Sequence, residues 1–173
     1  MITKDTNRIA SLQRMVPDLF TKARSVLYVG ARTDRFQLSK ELKQAGCKIS
    51  VLEIFDKNVE HLKTLDLEEV IQGDVRTFAP SRRYDVAIWW HGPEHVTEAE
   101  LPDAVNNLEG CADLVILGCP WGHYHQGSMY GNEHEKHVSH YEAEVFTDMG
   151  YEVECLGQEN KPGSNITAVK LFG

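Results

Sequence analysis

No stretch of this chain approaches the roughly 18 consecutive apolar residues that a membrane-spanning helix requires, which excludes an integral helical membrane protein. The opening residues, Met1-Ile2-Thr3-Lys4-Asp5, lead into an amphipathic pattern rather than a signal-type apolar block, so a cytoplasmic protein is expected. Cysteine is scarce. Cys47, Cys111, Cys119 and Cys155 are widely separated and form no C-x-x-C pair, which argues against a disulfide frame or a cysteine zinc site and for buried, reduced thiols. Positive charge is in deficit, with 18 Lys and Arg against 26 Asp and Glu and a formal charge of −8. Nucleic-acid surfaces need clustered Lys and Arg to neutralise phosphates, so this balance excludes a large nucleic-acid interface and favours a small-molecule or protein substrate. Repeats, low-complexity tracts and linkers are also missing. The 173 residues are therefore expected to form one domain spanning 1–173.

What the chain does contain is alternation. Ile9, Leu12, Met15, Val16, Leu19 and Phe20 recur at helical spacing in an N-terminal helical segment, 1–24, that Asp5 or Thr6 can cap and that Pro17 kinks or splits. From Ser25 the pattern predicts strand 25–30, helix 34–45, strand 48–53, helix 56–65 and strand 69–73. Strand 84–90, helix 98–109 and strand 113–118 follow. Short apolar strands alternating with helices imply an α/β fold, a parallel sheet covered by helices on both faces. Residues 119–138 break the rhythm, being rich in Gly, His, Tyr and Trp without a period. A segment of this kind inside a domain is usually functional, and it is the candidate lid or substrate loop. A helix over 140–149 ends at Gly150. Two further apolar runs, 151–156 and 166–172, flank Pro162-Gly163-Ser164-Asn165 and read as an antiparallel hairpin.

The ends of the first three strands carry the chemistry. Ser25-Val26-Leu27-Tyr28-Val29-Gly30 breaks at a glycine that allows a ligand to approach the backbone. Glu53 closes the second strand, and Asp74 follows the third. A carboxylate about 20 residues after such a glycine is placed to accept hydrogen bonds from a ribose diol. Each residue also has a plainer reading: Gly30 as an ordinary turn, Glu53 as a solvated acid, Asp74 as a turn cap. Their order makes them a candidate nucleoside pocket. Asp34 and Arg32 in the first loop disfavour a dinucleotide, whose pyrophosphate needs bare backbone donors there.

This order resembles the class I S-adenosylmethionine-dependent methyltransferases from about Ser25 onward. Val26-Leu27-Tyr28-Val29-Gly30 keeps the frame of the first motif. Tyr28 replaces its usual acid, and Arg32 and Asp34 stand where its later glycines are expected. Glu53, Gly73-Asp74-Val75 and Tyr84 to Trp90 match later segments. Glu94-His95-Val96 and His137-Val138-Ser139-His140-Tyr141 resemble the E-H-V and H-V-x-H-Y of small-molecule methyltransferases. The resemblance implies a Rossmann-like, doubly wound sheet of seven strands, mostly parallel with an antiparallel C-terminal hairpin strand. It also implies S-adenosylmethionine as cofactor and methyl transfer to an oxygen or nitrogen of a small-molecule or sugar-like acceptor.

On this reading Gly30 and Ala31 meet the methionine end, Glu53 the ribose, and Asp74 and Val75 the adenine edge. His91, just past the fourth strand, is the candidate general base, since imidazole titrates near neutrality. Trp121, Tyr124, His137, His140 and Tyr141 line the acceptor side. Two other readings stand beside it. One is a non-catalytic module of the same fold that has lost the cofactor, with Arg32 filling its pocket instead of reaching the methionine carboxylate. The other is a metalloenzyme built on His123, His125, His134, His137 and His140 with Glu133 and Glu135, whose spacing matches no zinc motif. The expectation adopted for this loop is a pocket wall without a held metal.

Overall fold

In the computed structural model, which describes residues 4–32 and 37–172, the alternating pattern resolves into a single seven-stranded sheet. The chain runs α1 (Lys4–Met15), α2 (Leu19–Lys22), β1 (Ser25–Val29), α3 (Gln37–Gln44), β2 (Lys48–Glu53), α4 (Asp56–Leu62) and β3 (Glu69–Gln72). It continues through β4 (Tyr84–Trp90), α5 (Leu101–Glu109), β5 (Ala112–Cys119), α6 (Ala143–Asp148), β6 (Glu152–Leu156) and β7 (Asn165–Leu171). One-turn 3-10 helices lie at Pro93–His95 and Glu133–Glu135. Strand order is β3-β2-β1-β4-β5-β7-β6. The pairs from β3 through β5 are parallel, and β7 is inserted antiparallel between β5 and β6. This is the doubly wound architecture with an antiparallel C-terminal hairpin that the sequence implies.

The strands are continuous apolar runs because both faces of the sheet are covered. Leu27, Val29, Ala87 and Trp89 face one core with α5 and α6, where Leu101, Val105, Leu108 and Phe146 pack. Val26, Tyr28, Ile88 and Trp90 face the other, with Leu12 of α1 and Leu38 and Leu42 of α3. Each fully buried Leu, Ile or Val contributes about 1.5–3 kcal/mol of transfer free energy. Trp89 and Trp90 therefore both serve as core, on opposite faces, as alternation along a strand dictates. Two glycines make room for them. A Cβ on Gly118 would fall 2.8 Å from the Trp90 ring, and one on Gly92 would fall 2.0 Å from the Trp89 ring.

Several element ends differ from the periodicity. Pro17 splits the N-terminal segment into α1 and α2. The helix expected from residue 98 begins at Leu101, because Glu100 reaches back to accept from the Thr97 amide and hydroxyl, both at 2.9 Å, and holds 97–100 as a turn. The one expected over 140–149 begins at Ala143, because Tyr141 is tied to Trp121 and Gly122 by main-chain bridges. The first residues of the helix expected over 34–45, Asp34 among them, lie outside the described residues. The cysteines are free, with Cys47, Cys111 and Cys119 buried. No helix among the described residues is long and apolar enough to cross a membrane.

Candidate functional site

Strand order reverses between the parallel neighbours β1 and β4: β2 and β3 build outward on one side and β5 on the other, leaving a crevice at the carboxyl ends of these strands. A cavity of about 390 Å³ occupies it, lined by Gly30, Glu53, Asp74, Val75 and His91 among others. Gly30 sits at φ +69 with nothing within 4 Å of where a Cβ would be, so the backbone conformation, not space, selects glycine. Arg32 also lies in the left-handed region, at φ +53, a costly state for a residue with a side chain.

Glu53 explains how that turn is held. It is only 4 % exposed, and its Oε2 accepts from the Arg32 amide at 3.0 Å while Oε1 accepts from the Ile54 and Phe55 amides at 3.0 Å. Burial raises its pKa despite these donors. The Asn58 side chain is a fourth donor to the same carboxylate. Asp74 is engaged differently. Arg76 binds it through its backbone amide at 2.9 Å and its guanidinium at 2.6–3.0 Å, which holds the Asp74 carboxyl below the usual range. Arg76 also donates to Glu100 at 2.9 Å, tying the turn after β3 to the start of α5.

The opposite wall of the cavity is built from the segment after β4 and the loop expected to be the lid. His91 lies at φ +53, and its Nε2 accepts from the guanidinium of Arg8, a buried residue of α1. Burial and the nearby Arg8 charge depress the His91 pKa to about 3, which leaves it neutral and weakly basic with its Nε2 lone pair engaged. This is poor geometry for the general base expected from the sequence.

Glu94 and His95 follow on the 3-10 turn. The Glu94 carbonyl accepts the Val138 and Ser139 amides at 2.8 and 3.3 Å, laying the end of the loop against this turn. His95 Nδ1 contacts the Lys136 carbonyl at 2.9 Å and His137 Nδ1 the Tyr124 carbonyl at 2.7 Å. A carbonyl only accepts, so both protons sit on Nδ1 and both Nε2 atoms carry free lone pairs. Those Nε2 atoms stand 3.9 and 4.0 Å from Glu94 Oε1, and His91 Nδ1 stands 3.9 Å from it. None of these is a hydrogen-bond distance. The Glu94 side chain is 3 % exposed, its Oε2 has no hydrogen-bond partner, and burial pushes its pKa up to about 8.

The structure thus brings Gly30, Glu53, Asp74, Val75, His91, Tyr124 and His137 to one cavity. It leaves four expected residues elsewhere. Ala31 is buried in the core behind the turn. Trp121 packs on the sheet-side core, and Tyr141 is buried against Phe146 with its hydroxyl toward the Val96 carbonyl. His140 stacks on His123, with ring centroids 3.9 Å apart. Tyr28, where the first motif expects an acid, is a buried core residue on the far face. Arg8 was missed altogether, because nothing distinguishes it within an amphipathic helix. Glu94 was passed over as part of a motif, although the adjacent Glu-His after a strand end was a visible signal.

A doubly wound sheet with β7 inserted antiparallel and a carboxylate-lined crevice at its switch point is the class I S-adenosylmethionine-dependent methyltransferase fold. No protein-family profile and no curated protein matches the chain by sequence. Solved structures do match in fold. DhpI in complex with S-adenosylhomocysteine superposes with a TM-score of 0.69 at 16 % identity, over 97 % of this chain and 85 % of that one. The methyltransferase domain of bacterial CtHen1 gives 0.66 at 18 %, over 98 % and 100 %. CalS10, an amino pentose methyltransferase from Micromonospora echinaspora solved with S-adenosylmethionine bound, gives 0.65 at 13 %, over 96 % and 89 %.

Proposed function

We propose that this chain is an S-adenosylmethionine-dependent methyltransferase acting on a small-molecule or sugar-like acceptor. The observation that carries the reading is the division of one cavity into two unlike halves. One half offers Gly30, the Glu53 carboxylate, and Asp74 with Val75. These suit, in order, the methionine end, the ribose and the adenine of the cofactor. The other half offers Tyr124 and the imidazoles of His91, His95 and His137, a polar wall suited to an acceptor bearing hydroxyl or amino groups. Neighbours in fold that bind S-adenosylmethionine or its product, one of them an amino pentose methyltransferase, support the same assignment.

The reaction asks mainly for alignment. The acceptor lone pair forms a bond to the methyl carbon as the carbon–sulfur bond breaks, its electron pair remaining on sulfur as a neutral thioether. The acceptor proton leaves to solvent by way of the imidazole wall. Holding both reactants in line in a walled cavity supplies much of the acceleration. Arg32 lines the cavity on the methionine side and is placed to meet the methionine carboxylate. The net charge of −8 accords with a small-molecule partner.

Calorimetric titration with S-adenosylmethionine and S-adenosylhomocysteine tests the reading directly. Saturable one-to-one binding of both is expected. Absence of binding at millimolar concentration would favour the non-catalytic module instead.

A further inference from the structure

Three imidazoles converge on one buried carboxylate without hydrogen-bonding to it, and a cavity lies alongside. Glu94 Oε1 is 3.9–4.0 Å from His91 Nδ1, His95 Nε2 and His137 Nε2, and Oε2 has no partner. The ligand atoms of Glu94, His95 and His137 all lie within 4.8 Å of one another. A carboxylate removed from water among neutral groups is costly unless a cation or donors face it. The inner oxygen of Glu94 has no hydrogen-bond donor facing it.

The outer contacts of the two histidines are those of metal ligands. His95 and His137 each give Nδ1–H to a backbone carbonyl, which fixes the tautomer and aims an Nε2 lone pair inward. The 3-10 turn that carries Glu94 and His95 and the loop that carries His137 are also locked together, since the amides of Val138 and Ser139 donate to the Glu94 carbonyl. Ligands about 2.1 Å from a common tetrahedral ion stand roughly 3.4 Å apart, so the two imidazoles, 3.9 and 4.0 Å from Glu94 Oε1, need to close on the carboxylate by roughly half an ångström, and the set as a whole, now within 4.8 Å, has to contract around the ion.

We propose that Glu94, His95 and His137 bind one divalent first-row transition metal ion, with an open coordination position toward the cavity that takes a hydroxyl oxygen of the acceptor. Two imidazole nitrogens and one carboxylate oxygen on one face suit zinc, iron or manganese. Magnesium and calcium prefer all-oxygen sets. His91 Nδ1 stands at the same distance from Glu94, but it carries the ring proton because Nε2 accepts from Arg8, so it faces the carboxylate as an N–H group and not as a ligand. The ion would act as a Lewis acid, orienting the hydroxyl and making its proton easier to lose to solvent. This part rests on the methyltransferase reading and narrows it: the atom methylated is an oxygen, since an amine lone pair needs no such activation.

The test uses the full chain, purified without an affinity tag and stripped with chelator. Zn²⁺ and Mn²⁺ are titrated by calorimetry, with Mn²⁺ also followed by electron paramagnetic resonance, and Mg²⁺ serves as comparison. One-to-one binding of Zn²⁺ and Mn²⁺, tighter than Mg²⁺, is expected. His95→Ala and His137→Ala should each weaken it roughly 10- to 100-fold or more. Glu94→Gln guards against misfolding, because it keeps the side-chain shape, and should weaken binding while retaining the wild-type circular dichroism spectrum. His123→Ala, at an exposed ring outside the cavity, should leave binding unchanged. Absence of one-to-one binding of either ion, or binding lost in His123→Ala but kept in His137→Ala, would overturn the site. The cofactor titration is read separately. Metal binding without cofactor binding retains the ion site and removes the methyl-transfer reading. Transfer at an undiminished rate in the stripped chain removes the ion's role in the reaction.

Discussion

Arg8 in the first helix donates its guanidinium to His91 Nε2, 83 residues further along the chain, and so closes the N-terminal segment over the cavity. Replacing Arg8 with Met keeps much of the buried stem but leaves the His91 ring nitrogen without this donor. Losing a buried hydrogen bond to a charged group costs about 1–3 kcal/mol. Urea unfolding of Arg8→Met should show that loss in midpoint at unchanged slope. A loss below about 0.5 kcal/mol would mean the contact carries little of the fold.

The two strand-end carboxylates should affect stability in opposite senses with pH. Burial raises the Glu53 pKa above 4.5, so the folded state holds its proton more readily than the unfolded state. Its contribution is fully present below 4.5 and is lost as pH rises through the raised value. Arg76 lowers the Asp74 pKa below 3.8, so that contribution is present above 3.8 and is lost as pH falls through the lowered value. Unfolding free energies of Glu53→Gln and Asp74→Asn against wild type, measured from pH 2 upward, should show it. The Asp74→Asn deficit should shrink toward acid and the Glu53→Gln deficit should shrink as pH rises from 4.5. The Asp74–Arg76 pair is partly exposed, so its deficit should not exceed about 1 kcal/mol.

Glu53→Gln should also weaken S-adenosylhomocysteine. The Glu53 carboxylate accepts from the Arg32 amide, and an amide group at this position cannot satisfy both the turn and a ribose hydroxyl. A loss of roughly 1–3 kcal/mol, about 10- to 100-fold in Kd, is expected by calorimetry. Unchanged affinity in a folded variant would place the ribose elsewhere.

Arg32 Nε lies 3.4 Å from Glu135 Oε1, which joins the turn after β1 to the 3-10 turn of the loop. If Arg32 serves the methionine carboxylate, Arg32→Ala should weaken cofactor binding by about tenfold, the worth of one charge-assisted contact. Glu135→Gln should leave it unchanged or tighter, because it removes a competing carboxylate. Tighter binding in Arg32→Ala would show instead that this side chain obstructs the pocket.

Gly92→Ala tests the packing behind the site. Gly92 has φ −127, so no backbone strain arises, but its new Cβ would fall 2.0 Å from the Trp89 ring. Overpacking of this kind costs about 1–3 kcal/mol, a drop in melting temperature of roughly 3–10 °C. A change in Trp fluorescence should accompany it, since Trp89 has to move.

Much of the architecture was legible because local pattern and global packing agree. Strand 84–90 was read at its observed limits, for it is apolar on both faces and is buried on both. The β6–β7 hairpin was readable from its turn residues, and Pro17 split the first helix as its missing amide requires. Helix starts were less legible. Thr97 and Glu100 hold a turn through a side-chain hydrogen bond, and Tyr141 is detained by Trp121 and Gly122, partners 20 and 19 residues away.

The site divides along the same line. Gly30, Glu53 and Asp74 were readable because each terminates its own strand, and parallel strands bring their carboxyl ends to one edge whatever lies between. The sequence by itself determined that edge. It could not determine which histidines meet. His95 lies just beyond β4 and His137 within an aperiodic loop, and the docking of residues 138 and 139 on the Glu94 carbonyl, with the Lys136 carbonyl against His95, brings His137 alongside Glu94 and His95. The same docking separates His137 from its sequence neighbour His140, and no periodicity distinguishes the two. Tertiary structure decided it because the contacts that place loop side chains are long-range hydrogen bonds, which leave no mark on local spacing.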